Sequence, residues 1–310
     1  MSREGRNVRE ALAIRSLWGP VLGLIAVGCG EAPPVTVQVQ GDCAVLYLGD
    51  DVDVEGPPVF DSVDGAPWCV GNNDGSLSAD EMPAVVGAHV TYNVNPPGTL
   101  VPVDSKGADQ EGGHVWDFRS APDNVAVGVT VVDPSQHWFA PHFPGAAYAS
   151  PVSLWSPDVL GVFRSEPGRI LMLGLASVKP QSEPAHTLLV YDEPLVVYQF
   201  PLVLGANWQQ TVTFSNAVLQ GVKNAGKETY KFVVDGRGTV LLPQFRLENS
   251  LRVRLELTQT FVVSQGKPDV HHVQLFFVHE CLGEVARIVS PPDPPGIEFS
   301  QASEFRRLGW

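Results

Sequence analysis

Three kinds of residue in this chain could do chemistry: an oxygen-rich turn, a scatter of histidines and four cysteines. The stretch "GNNDGSLSADEMP" (71–83) sets Asn72, Asp74, Ser76, Ser78 and Glu81 around Gly75. Calcium takes hard oxygen ligands at this kind of spacing, and glycine permits the sharp turn between them. With Gly75 at the turn, Asn72, Asp74 and Ser78 fall on the odd ligand positions and Glu81 on the terminal, bidentate one. Ser76 would lend its carbonyl, and Leu77 is the apolar residue that follows. Val70 stands at the first position, where a carboxylate is usual. An ion held here would be structural, because the loop brings no catalytic group.

This loop resembles the calcium loop of EF-hand and dockerin-type repeats, although Cys69 and Pro83 flank it where helices would stand. The densest histidine cluster, "QHWFAPHFP", holds His137, Trp138, Phe139, His142 and Phe143. The expectation is a proline-bent loop whose aromatic rings plug the core. His271 and His272 are adjacent in a strand-like run and so point to opposite faces. Motifs of the HExxH, CxxC and phosphate-loop types are lacking, and Ser177 in "GLASV" lacks the second glycine of a nucleophile elbow. His279 and Cys281, two apart on one strand face, are the only evident Cys–His pair. A protein without catalysis is expected, the enzymatic alternative being a carbohydrate-active or hydrolytic β-sandwich using two carboxylates.

The cysteines set the address. Arg3, Arg6, Arg9 and Arg15 precede a 12-residue apolar run from Leu17 to Gly28, the layout of a secretory signal and too short for a membrane span. The run ends Ile25-Ala26-Val27-Gly28-Cys29, which resembles the lipobox of bacterial lipoproteins. That resemblance implies acylation of Cys29, a membrane partner reached through the lipid, and, with Gly30 rather than Asp next, the outer membrane. Removing residues 1–28 removes four Arg and two Glu, taking the net charge from -14 to -16. Nucleic acid is excluded as a partner by that field. In a compartment that permits disulfides, Cys43 and Cys69 share one segment and are expected to pair, leaving Cys281 a buried thiol. A rival pairing through Cys281 stays open.

Most of the chain alternates like β-strand, with 30 Gly and 27 Pro as punctuation. Hairpins are expected at Ser165–Gly168, at Asp192-Glu193-Pro194 and, most strongly, at Asp235-Gly236. The fold class is all-β: an N-terminal β-sandwich-like domain followed by a curved antiparallel sheet or half-barrel. The expected divisions are a signal (1–28), a tether (29–41), an N-terminal domain (42–155), a C-terminal domain (160–292) and a proline-rich tail (293–310). "LGANW", "GTVLLP" and "GEVARI" together resemble a domain of uncharacterised bacterial secreted lipoproteins similar to lipoprotein-carrier half-barrels, over roughly 190–290. Leu275, Phe277, Phe232 and Val240 are candidates to line its concave face. The function expected is an envelope-anchored binding or scaffolding module, with lipid or polysaccharide as ligand and a lipid carrier as the alternative.

Overall fold

The computed structural model describes residues 60–61, 67–69, 71–82, 84–120, 124–180, 185–261 and 269–309. In chain order its strands are β1 (Phe60–Asp61), β2 (Pro67–Cys69), β3 (His89–Val94), β4 (Val101–Pro102), β5 (Ala108–Gln110), β6 (Gly113–Asp117), β7 (Val125–Thr130), β8 (Tyr148–Pro151) and β9 (Val159–Glu166). They continue as β10 (Arg169–Ser177), β11 (Leu188–Gln199), β12 (Asn207–Leu219), β13 (Val222–Leu241), β14 (Arg246–Phe261), β15 (Val270–His279), β16 (Gly283–Val289), β17 (Gln301–Ala302) and β18 (Glu304–Gly309). The chain is all-β, built on one large curved antiparallel sheet.

Twelve strands follow one another round that sheet in the order β7-β3-β18-β16-β15-β14-β13-β12-β11-β10-β9-β8. Its two ends approach at Val132 and Ala149, which exchange N–H···O bonds of 2.8 and 2.9 Å. Curling the sheet until its ends meet removes the unpaired edges that invite aggregation. The strands on either side of residues 155–160 therefore share one sheet. β18, from the segment read as a tail, lies between β16 and β3. Its inward residues are Glu304 and Arg306, so a strand with charges on the core side escaped the apolar pattern.

On β12, β13 and β14 the ring is mainly apolar inside and polar outside. On β14, Leu251, Val253, Leu255 and Leu257 point inward, while Arg252, Arg254 and Glu256 take the other face. Phe232 of β13 and Gln274 of β15 lie opposite Leu255, in one cross-strand row. Gln209, Thr211, Thr213, Lys227 and Lys231 are exposed on the outside of β12 and β13, the reverse of a lipid-facing barrel, whose outward band is apolar. The interior is filled by large side chains, among them Tyr230, Phe214, Met172 and Leu195. Two further clusters cover parts of the outer face. Phe139 and Phe143, buried against Leu160, Val162 and Leu173, carry the aromatic loop onto β9 and β10 as expected.

Two of the three hairpin cues fail, each for a visible reason. Ser165–Gly168 does join β9 to β10. At Asp192-Glu193-Pro194, however, β11 continues; its register against β10 jumps from Leu195 to Val190, so these residues form a bulge. Asp235-Gly236 likewise lies within β13, which runs on to Leu241. Its glycines answer a close approach: a Cβ on Gly238 would sit 2.3 Å from the His114 carbonyl oxygen of β6, and one on Gly236 would meet the Trp116 ring at 2.9 Å.

Candidate binding groove

The oxygen-rich loop closes one end of the barrel. Leu77, fully buried, bridges Leu202, and Met82 joins the same interior cluster. Asn72 accepts the Asp74 N–H at 2.9 Å, and Asp74 accepts both the N–H and the hydroxyl of Ser76, at 2.7 and 2.8 Å. Those bonds hold the Asp74 carboxyl below its usual range, with Arg237 adding to the shift. Glu81 turns away from Asn72 and Asp74 to accept the Ser78 N–H at 2.8 Å in a capping box. The Arg237 guanidinium lies over Gly75, 2.4 Å from where a Cβ would be, and Gly75 has φ +80°. The positive φ favours glycine there, while the arginine, the end of a flexible side chain, could move aside. A calcium ion would compete with the loop's own N–H donors and share the turn with a guanidinium. Val70 lies outside the described residues.

The loop is fastened to the β15–β16 turn. The Cys281 N–H donates to the Glu81 carbonyl at 2.7 Å, and the Asn73 N–H donates to the Glu280 carboxylate at 2.9 Å. Cys69 and Cys281 form a disulfide across a separation of 212 residues. This corrects two expectations: Cys69 does not pair with Cys43, and Cys281 is not a free thiol. Nearness in sequence favoured Cys43, but closing the barrel carries the β15–β16 turn to Cys69. The Cys281–His279 pair is removed as a nucleophile, and His279 Nδ1 instead lies 2.9 Å from the Glu280 carbonyl oxygen. Cys29 and Cys43 lie outside the described residues, as do the signal and the tether.

Inside the barrel the sequence reading missed two polar networks. Glu228 accepts the hydroxyls of Tyr191 and Tyr230, each at 2.7 Å, and the Gln259 amide at 2.6 Å. Burial, helped by the Glu228 charge, raises both phenols well above their ordinary value. Across the interior, Arg306 donates to Glu284 at 2.6 Å, and Arg287 binds the same carboxylate. Burial raises Glu304, against the pull of Arg306 and Arg287. The available signal was parity: Glu228 and Tyr230 are two apart and so share a face.

His272 points inward and His271 outward, as their adjacency required. Burial lowers His272 below 6.5, although Asp293 and the Ser290 backbone pull it back up. His279 is lowered for the same first reason. The stability these two rings contribute is full above the unfolded value of about 6.5 and is lost as pH falls through the folded ones. Glu304, being raised, acts oppositely: its contribution is full below 4.5 and lost as pH rises through its folded value. Replacing His272 with glutamine should therefore flatten the loss of melting temperature between pH 7 and 5. The slope removed approaches about 1.4 kcal/mol per pH unit. An unchanged slope would show that the ring is solvated in the fold.

The proposed lining of a concave pocket is also corrected. Phe232 faces the interior, whereas Val240, Leu275 and Phe277 belong to an outer-face cluster with Trp116 and Phe118. Leu275 and Phe277 flank Phe276, which faces inward, so strand parity sends them to the opposite side. β4, β6 and β17 lie over that outer cluster rather than a ligand, with Val101, Trp116 and Ala302 among its members.

An open concavity lies where β11 and β12 part, between outward-facing Gln209 and Trp208, which packs on the interior cluster. Their ladder registers only Leu188 against Val218 among the described residues. Farther along, side chains replace it. Gln210 accepts the Val196 N–H and donates to the Pro194 carbonyl, both at 2.9 Å, and the Trp208 indole N–H donates to the Val196 carbonyl at 3.0 Å. Pro194, which has no N–H to leave unpaired, suits this seam. The seam opens on a cavity of about 480 Å3. Its walls are Trp208, Gln209, Gln210, Gln199 and Glu193, with Arg164 and Arg169 at the β9–β10 side. Glu166 binds both arginines, at 2.8 and 2.6 Å. No catalytic residue was expected from the sequence, and none of the expected calcium ligands reaches this groove.

No family model matches the chain, and no curated protein or solved structure shows significant similarity to it.

Proposed function

We propose that this is an exported protein, lipid-anchored through Cys29 at a bacterial envelope, most simply the outer membrane, where it works as a non-catalytic binding module. The observation that carries the reading is the Cys69–Cys281 disulfide, because such bonds persist in oxidising compartments and are rare in the cytosol. The filled interior weighs against the alternative of a carrier enclosing a lipid, since close-packed tyrosine, phenylalanine and leucine leave an acyl chain no room. The groove at the β11–β12 seam gives the binding reading a place to act.

Expression of the full chain with labelled palmitate in a Gram-negative host tests the anchor. The expected result is a labelled protein in the membrane fraction, and Cys29→Ser should lose the label and become soluble in the periplasm. Label retained by Cys29→Ser, or wild-type protein left reduced in the cytoplasm, would overturn the reading.

A further inference from the structure

We propose that the groove at the β11–β12 seam binds a neutral oligosaccharide, an inference that rests on the binding reading above and names its ligand. The charges at the groove cancel: Arg164 and Arg169 stand against Glu166, which binds both, and Glu193. The mature chain's net charge of -16 disfavours an anion, and Glu166, already held by both arginines, offers a cation no free carboxylate. What it does offer is carboxamides. Gln199 and Gln209 are exposed, with no hydrogen bond to their side chains among the described residues. Each presents a donor and an acceptor side by side, matching the paired hydroxyls of a sugar ring.

Trp208 contributes a flat apolar ring. Its indole N–H is already spent on Val196, and it is stacked on Phe232 with centroids 4.9 Å apart, so its orientation is set before any ligand arrives. An aromatic plane beside a few fixed polar groups is the common make-up of a small-ligand site, and about 480 Å3 lies within the usual range of such sites. A peptide adding itself as a strand is disfavoured. The Val196 N–H and the Pro194 and Val196 carbonyls, which it would need, are held by Gln210 and Trp208.

The test uses the disulfide-intact mature chain carrying Cys29→Ser, titrated calorimetrically with maltohexaose, cellohexaose and chitohexaose. Trp fluorescence provides a second readout. Parallel arms contain hexagalacturonate, as an acidic sugar, and vesicles of phosphatidylethanolamine and phosphatidylglycerol. At least one neutral hexasaccharide should bind, and Gln199→Ala with Gln209→Ala should weaken it roughly tenfold with the melting temperature unchanged. Both residues are exposed and their side chains have no hydrogen bond among the described residues, so loss of folding does not confound the result. Neutral-sugar binding that the double variant leaves intact would overturn the groove as the site. Binding of hexagalacturonate or vesicles alone would overturn the ligand class but keep the binding reading. Failure in every arm would overturn both and leave a scaffold.

Discussion

Replacing Cys281 with serine lowers the unfolding free energy by about 4 kcal/mol and loosens one end of the barrel. The bridge spans 212 residues, and in the chain-entropy model a loop of that order is worth about 5 kcal/mol, with measured values commonly nearer 2–4. Among the described residues, two backbone N–H bonds would then hold loop 71–82 against the β15–β16 turn. Leu77 should become the first part of the interior to gain solvent. Urea denaturation checks the energy, and hydrogen exchange at Leu77 and Leu202 checks the location. Cys43→Ser is the control and should leave the midpoint where it was. A shift from Cys43→Ser with none from Cys281→Ser would reverse the pairing.

Arg306→Leu should cost about 3–5 kcal/mol, because removing one partner from a buried charge cluster strands the others. Arg306 is 4% exposed, lies over the Tyr92 ring at 5.3 Å and binds Glu284. Without it Glu284 keeps only Arg287, and Glu304 loses its nearest positive charge. Adding Glu304→Gln to Arg306→Leu should recover part of the loss, since a neutral amide has no charge to strand. Chemical denaturation of the two single variants and the double variant would measure this coupling. Strict additivity would mean that Arg306 and Glu304 do not interact. A cost below about 1 kcal/mol would place Arg306 in water.

By itself the sequence determined the class of structure and the polarity of its faces. Alternation has a period of two and needs no knowledge of the rest of the chain, so the inward Leu251, Val253 and Leu255 could be read directly. So could the opposed His271 and His272, the β9–β10 hairpin and the buried aromatic loop at 137–143. Tertiary structure decided everything that depended on which strands became neighbours. One residue pattern, Asp-Gly between β-branched runs, serves a hairpin or a site of close approach, and the presence of β6 over Gly236 and Gly238 selected the second. Asp192-Glu193-Pro194 became a bulge because β11 runs on along β10 on both sides of it. Cys69 met Cys281 because sheet curvature brings residues 212 apart within bonding range, a distance on which local pattern is silent. The groove is the same kind of object: Gln199, Gln209 and Trp208 carry no shared spacing, and only the parting of β11 from β12 gathers them.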